Sequence, residues 1–236
     1  MRLPRQVSIY SLVRYGPPMA SSGPAQRREP GRGRPPIRSD AEILDAALEA
    51  FAADGFEAMS VRALNRDLGL SHGTVQQRFG SKDDLYTAAI DHGFGSFVAE
   101  IVDELGTRSP LPADDAATVW ELVRAFLVVS ARYPALARLM NLEGLVPSAR
   151  LDRIYDGFIA PAVALIEPSL VRLAADGRFR AVPTRTVYFL IAYGAAAPYA
   201  LRALSARFDA VDGPLDDVAH AEAMADLIVA ALASTP

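Results

Sequence analysis

The sequence predicts an all-α protein in two parts: an N-terminal three-helix helix-turn-helix head and a larger helical domain. Three observations carry this. After residue 38 apolar residues recur every three or four positions, the period of helices that bury one face. No run alternates apolar with polar residues as a half-buried strand would. Serines, glycines and prolines stand where helices start and stop, with short connections between them. The predicted boundaries are 1–38 for a basic arm, 39–85 for the head and 86–236 for the larger domain.

Ser39 and Glu42 form an S-x-x-E capping box that opens the first helix. Ile43, Ala46, Ala47, Ala50 and Phe51 give it an apolar face, and Gly55 marks its end. Ser60 opens a second, short helix that carries Val61, Leu64 and Leu68 and stops at Gly69. Ser71 is placed to cap a third, running through Val75 to about Phe79. Ser81 caps a long fourth, with Asp83 and Asp84 in its first turn, where the helix dipole favours negative charge. Ile90, Phe94, Phe97, Ile101 and Leu105 continue one apolar face along it, and 106–112 reads as a loop.

Beyond the loop, 119–131 is apolar nearly all round, the mark of a buried helix, and Pro134 begins a short helix reaching Leu142. Leu151, Ile154, Tyr155, Phe158, Ile159, Ala162 and Ile166 trace a stripe on a helix interrupted by Pro161 and Pro168 and stopped at Asp176-Gly177. Two more helices are predicted at about 184–206 and 215–233, separated by Asp212-Gly213-Pro214.

The net charge of −4 conceals an asymmetry. Residues 1–38 hold eight arginines against one acidic residue, a net of +7, while the rest carries 16 basic against 27 acidic residues, a net of −11. A basic arm on an acidic body points to a polyanion gripped at one end. With no cysteine there is neither a disulfide framework nor a thiolate metal site, which suits a reducing cytoplasm. The apolar patch from Val7 to Val13, bracketed by Arg5 and Arg14, is too short for a signal peptide, and Met19 offers an alternative start. The run from Phe189 to Leu201 contains Gly194 and Pro198 and is too short to span a membrane. A soluble cytoplasmic protein with no membrane partner is expected.

The segment from Ser60 to Phe79 pairs two short helices across a turn containing Gly69. In a helix-turn-helix the second helix enters the DNA major groove and its first residues meet base edges. Ser71, His72, Thr74, Gln76 and Gln77 are therefore the candidate contacts. A glutamine amide can bond both N6 and N7 of adenine, and Thr74 suits a phosphate or a thymine methyl. Arg78 and Lys82 supply charge for phosphates, which fixes position without reading sequence. Residues 39–82 alone are acidic, with four basic against seven acidic side chains, so the upstream arm restores the balance. Arg32 and Arg34, on the extended Gly31–Pro36 backbone, fit a narrow A·T-rich minor groove.

Residues from Ile43 to about Ile90 resemble the N-terminal domain of TetR-family (tetracycline repressor-like) regulators. The resemblance rests on Ile43-Leu44-Asp45-Ala46-Ala47, Phe51-Ala52-Ala53-Asp54-Gly55-Phe56, Ser60-Val61-Arg62-Ala63-Leu64, Asp67-Leu68-Gly69-Leu70-Ser71, Gly73-Thr74-Val75 and Phe79-Gly80-Ser81-Lys82-Asp83-Asp84-Leu85. It implies a homodimeric regulator, most often a repressor, on a palindromic operator of double-stranded DNA, released by a small molecule bound in the C-terminal domain. It also implies phosphate contacts at Thr74 and Lys82, and base reading at His72 and Gln77. Two positions depart from the family pattern: Gln76 replaces a common tyrosine, and Asn65 replaces a usual alanine where the two helices cross. A buried Asn65 must find hydrogen-bond partners, or the helices must splay.

His72, His92 and His220 lie on three different predicted helices, and no nucleophile motif is present, so no metal site, cofactor or catalytic centre is expected. Trp120, Tyr155, Phe158, Tyr188 and Tyr193 are the candidate walls of a pocket for a small lipophilic ligand. The last two helices are the expected dimer interface, through the smooth strip Gly194-Ala195-Ala196-Ala197 and the stripe Ala221, Met224, Leu227, Ile228 and Ala231. The alternative function is a helical ligand-binding protein of the same fold with lost or weak DNA affinity.

Overall fold

Helices α1 to α4 of the head begin as their caps dictate. The structure, a computed structural model, describes residues 38–107 and 112–234; the arm with Arg32 and Arg34, and most of the 106–112 loop, lie outside them. Ser39 and Glu42 close the predicted capping box of α1 (Asp40–Ala58), which breaks at Gly55, where φ is +76°. Ser60 caps α2 (Val61–Asp67), and Ser81 caps α4 (Lys82–Gly106) with Asp84 reciprocating. The third start differs from expectation. α3 (Thr74–Phe79) has Gly73 at its N-cap position, left-handed and without a side chain to offer. The Ser71 hydroxyl is bonded instead to that of Thr74, at 2.6 Å.

Ile43, Phe51, Leu64, Val75, Leu85, Tyr86 and Ile90 are buried together and hold the head as one apolar cluster. Phe51 and Tyr86 meet edge to face, with ring centroids 4.9 Å apart. The same cluster takes in Ala135, Leu136 and Leu139 from α6 (Pro134–Glu143). The head is thus packed directly on the body.

The body is built round α5 (Asp115–Ser130), capped by Asp114 and buried on Val119, Val123, Leu127 and Val128, as its nearly uniform apolarity predicts. A second path runs through α7 (Ala149–Ile154), a π turn (Tyr155–Ile159) and α8 (Ala160–Ala175). A third passes through α9 (Thr184–Phe189), a π turn (Leu190–Ala195) and α10 (Ala197–Ala200). Each π turn lies just before a proline, Pro161 or Pro198. Proline has no N–H for the carbonyl four residues back, and its ring crowds that oxygen, so the helix widens by one residue there. Three short helical segments, α11 (Arg202–Ser205), Ala206–Phe208 and α12 (Asp209–Asp212), replace the continuous helix expected to 206. α13 (Asp217–Leu232), capped by Asp216, closes the fold against α5. Among the described residues there is one isolated bridge, between Phe179 and Ala233, and no strand.

Two sequence expectations are corrected. Ala195 and Ala196 of the smooth strip are buried in the chain's own core with Ala221 and Ile228, whereas Leu227 is 61% exposed. The small residues let α13 approach within the subunit. The path Ala149–Ala175, expected to be interrupted by Pro161 and Pro168, is long and apolar enough to cross a membrane by length and composition; 11% of its most apolar window is buried. Pro161 and Pro168 leave the helix continuous, so the apolar length is greater than the prolines imply.

Ion pairs tie the elements together. Arg172 donates to Asp115 and holds its carboxyl below the ordinary range, helped by the Ser169 hydroxyl at 2.8 Å. The hydroxyl of Tyr133 and the guanidinium of Arg132 do the same for Glu100. A carboxylate with a depressed folded pKa stabilises the fold above its unfolded value of about 4, and that contribution disappears as pH falls through the lower folded value. The unfolding temperature is therefore expected to drop below about pH 4, with Glu100→Gln flattening part of the fall. An acid limb identical in wild type and variant would remove Glu100 from the account.

Candidate nucleic-acid interface and ligand cavity

The turn between α2 and α3 is made by Gly69 and Gly73, both at positive φ. It leaves Ser71, His72, Gln76, Gln77 and Arg78 exposed on one end of the head, with Thr74 and Lys82 half-buried beside them. Thr74 donates its hydroxyl to the Ser71 carbonyl at 2.9 Å. Lys82 donates to the carbonyl of Glu57 at 3.0 Å and lies 5.0 Å from the Phe56 ring centroid. Arg78 is committed within the chain: it donates to the carbonyl of Arg38 at 2.7 Å and pairs with Asp40. Its position clasps the entry of α1 to the end of α3. The predicted contacts are thus brought to one surface, with Arg78 anchored as well as exposed.

Asn65 is 4% exposed at the crossing of α2 and α3, and its partners are complete. Its amide nitrogen donates to the Val61 carbonyl at 3.0 Å and to Gln76 Oε1 at 3.4 Å. Its oxygen accepts from the Val75 backbone N–H at 3.1 Å. The two departures from the family pattern are therefore bonded to each other, and the helices need not splay.

The body contains a cavity of about 390 Å³, within the range of small-molecule sites. None of its lining residues is charged. Of the candidate wall residues, Phe158, Tyr188 and Tyr193 line it, together with Phe94, Phe97 and Phe126, which the sequence alone did not assign to a pocket. Those three occupy apolar helix faces that look the same whether they meet a core or a void. Trp120 and Tyr155 are not in the lining. Trp120 donates its indole N–H to Asp226 on α13 at 2.7 Å, and Tyr155 is 52% exposed on its π turn. Both π turns supply wall residues, Phe158 and Ile159 from one, Ile191 to Tyr193 from the other. Burial pushes the Tyr188 hydroxyl up to about 12, so it remains a hydrogen-bond donor at neutral pH.

An exposed polar helix in a helix-turn-helix head, packed on a hollow helical body, defines a helix-turn-helix protein with a cavity-bearing helical domain. The family model for bacterial regulatory proteins of the tetR type matches residues 43–89. A curated repressor of Mycobacterium tuberculosis, Rv3405c, is 36% identical over 134 residues, which cover 52% of this chain and 67% of that one. The chain belongs to the tetR family of bacterial regulatory proteins. It is also similar to the transcriptional repressor AcnR of Corynebacterium glutamicum, 36% identical over 74 residues, or 31% of this chain. That match spans only 39% of the corynebacterial protein's length. Among solved structures, FadR of Bacillus subtilis in complex with stearoyl-CoA shares the fold at a TM-score of 0.55 and 18% identity, covering 80% of this chain and 97% of that one.

Proposed function

We propose that the chain is a cytoplasmic transcriptional repressor that binds a palindromic operator as a two-fold dimer and lets go when a lipophilic small molecule fills the cavity. The observation that carries this reading is the position of α6. Its Leu136, Ala137, Met140 and Asn141 line the cavity, while Ala135 and Leu139 are buried in the head's core and Arg138 pairs with Glu49 on α1. A cavity occupant therefore presses on the element that holds the head. The uncharged lining suits the apolar part of a molecule such as the stearoyl-CoA held by the Bacillus subtilis neighbour. Exposed Val218 and Leu227 on α13, and Phe189 and Leu190 before it, supply apolar surface for a dimer through the last two helices. Such a dimer presents its recognition helices to successive major grooves about 34–36 Å apart. Arg32 and Arg34 of the arm then meet the adjacent minor groove.

Fluorescence-anisotropy titration against DNA upstream of the chain's own gene, at two salt concentrations and with scrambled competitor, tests the reading. Tight, competitor-resistant and salt-sensitive binding is expected, because phosphate contacts release counterions. Binding no tighter than to scrambled DNA leaves the chain as a ligand-binding module. Within the same assay Lys82→Ala is expected to weaken all sequences alike, by severalfold, whereas Gln77→Ala relaxes preference at particular base pairs by about tenfold. Uniform loss in both variants takes base reading away from Gln77.

A further inference from the structure

We infer that Asn65 is a positioning residue that caps the recognition helix from outside and orients the Gln76 amide so that its NH2 group leads toward DNA. The inference rests on the DNA-binding reading above and deepens it. A helix leaves its first N–H groups unpartnered unless a side chain at the N-cap accepts from them. The N-cap of α3 is Gly73, which has no side chain. The Val75 N–H is satisfied instead by Asn65 Oδ1, reaching across from α2 at 3.1 Å.

That bond fixes the whole amide. Val75 N–H can only donate and the Val61 carbonyl can only accept, so oxygen must face the first and nitrogen the second. The nitrogen's other hydrogen then points at Gln76, and the atom that receives it must be the Gln76 oxygen, as found at 3.4 Å. With its oxygen turned inward, Gln76 directs its NH2 group to a partner outside the chain. A bidentate contact to adenine requires one donor and one acceptor on the same amide. With its oxygen turned to Asn65, Gln76 does not present both edges to one base, so its outward NH2 favours groups that accept: guanine N7 and O6, thymine O4, or a phosphate oxygen. Exposed Gln77 is not held in this way, and both edges of its amide face outward for reading.

Asn65→Asp reverses the arrangement. A carboxylate still accepts from Val75 N–H, but its second oxygen has no proton for the Val61 carbonyl or for Gln76, so Gln76 turns its NH2 inward toward these acceptors and presents its oxygen. Selection from random-sequence DNA is carried out with the full chain as wild type, Asn65→Asp, Gln76→Ala and the double variant. The base pair whose preference is lost in Gln76→Ala is expected to shift in Asn65→Asp, by on the order of tenfold, toward bases that offer an amino group. The double variant should match Gln76→Ala. If Gln76 meets phosphate, Gln76→Ala and Asn65→Asp each weaken all sequences alike, again with no further loss in the double variant. A shift that persists without Gln76, or an Asn65→Asp variant unchanged in both preference and affinity, overturns the inference. Amide hydrogen exchange at Val75 supplies a readout that needs no DNA. Protection is expected in wild type and at least tenfold faster exchange in Asn65→Ala, with amides in the middle of α5 unchanged. If wild type selects no sequence, the DNA reading fails and the exchange result alone decides the clamp: an unprotected Val75 amide in wild type refutes it.

Discussion

Replacing Arg124 by leucine is expected to lower the unfolding temperature by about 6–12 °C, from a loss of about 3 kcal/mol at 2–4 °C per kcal/mol for a chain of this size. Arg124 is 2% exposed in the middle of α5. Its guanidinium donates to Glu104 on α4 at 2.7 Å and to Glu121 at 3.3 Å, and lies 6.0 Å from the Trp120 ring centroid. Leucine fills much of the space but removes the guanidinium that pairs with the largely buried Glu104 carboxylate, and the loss of that pair dominates the cost. The same reasoning predicts the rescue. Adding Glu104→Gln to Arg124→Leu removes that carboxylate's charge and should recover much of the lost temperature in a thermal melt followed by circular dichroism. A drop of only a degree or two in the single variant would mean that water reaches the Glu104 carboxylate.

Ala192→Trp is expected to abolish ligand response and leave operator binding in place. Ala192 sits on the second π turn and lines the cavity together with Phe97 and Phe126, among residues without charge. An indole there occupies the volume a ligand needs, at an overpacking cost of about 1–3 kcal/mol that the existing void reduces. Displacement of a fluorescent sixteen-carbon fatty acid, used as the probe, should show at least a tenfold loss of affinity. The variant's operator binding should no longer be relieved by any compound that relieves wild type. Undiminished probe affinity would place the probe outside this cavity.

The head was legible residue by residue because its signals are local. Ser39, Ser60 and Ser81 announce helices through contacts within three positions of themselves. The failure at Ser71 is instructive in the same terms: the cap of α3 comes from Asn65, ten positions back across a turn. No local pattern carries such a bond. Asn65 and Gln76 each look anomalous alone, and only their juxtaposition makes them a pair. In the body, helix positions and faces were readable but their depth was not. Trp120 and Phe126 stand on one helix, six residues apart; one meets Asp226 and the other a void. The stripe on the last helix divides likewise, Ile228 inward and Leu227 outward, one residue apart. Which of two adjacent apolar residues finds a neighbour depends on helices far away in the chain.

The π turns before Pro161 and Pro198 have a consequence for chain length. A helix that takes one extra residue to complete a turn carries, in effect, a single-residue insertion that its flanks have absorbed. Phe158 and Ala192, each on such a turn, owe their orientation to that surplus residue. Removing one residue from either turn would return the helix to regular winding and swing one flank by about 100° relative to the other, carrying those side chains off the cavity wall. Related chains with a one-residue gap at these points would keep the same helices and enclose a differently shaped hollow, so that ligand preference can diverge by a change in count without a change in composition.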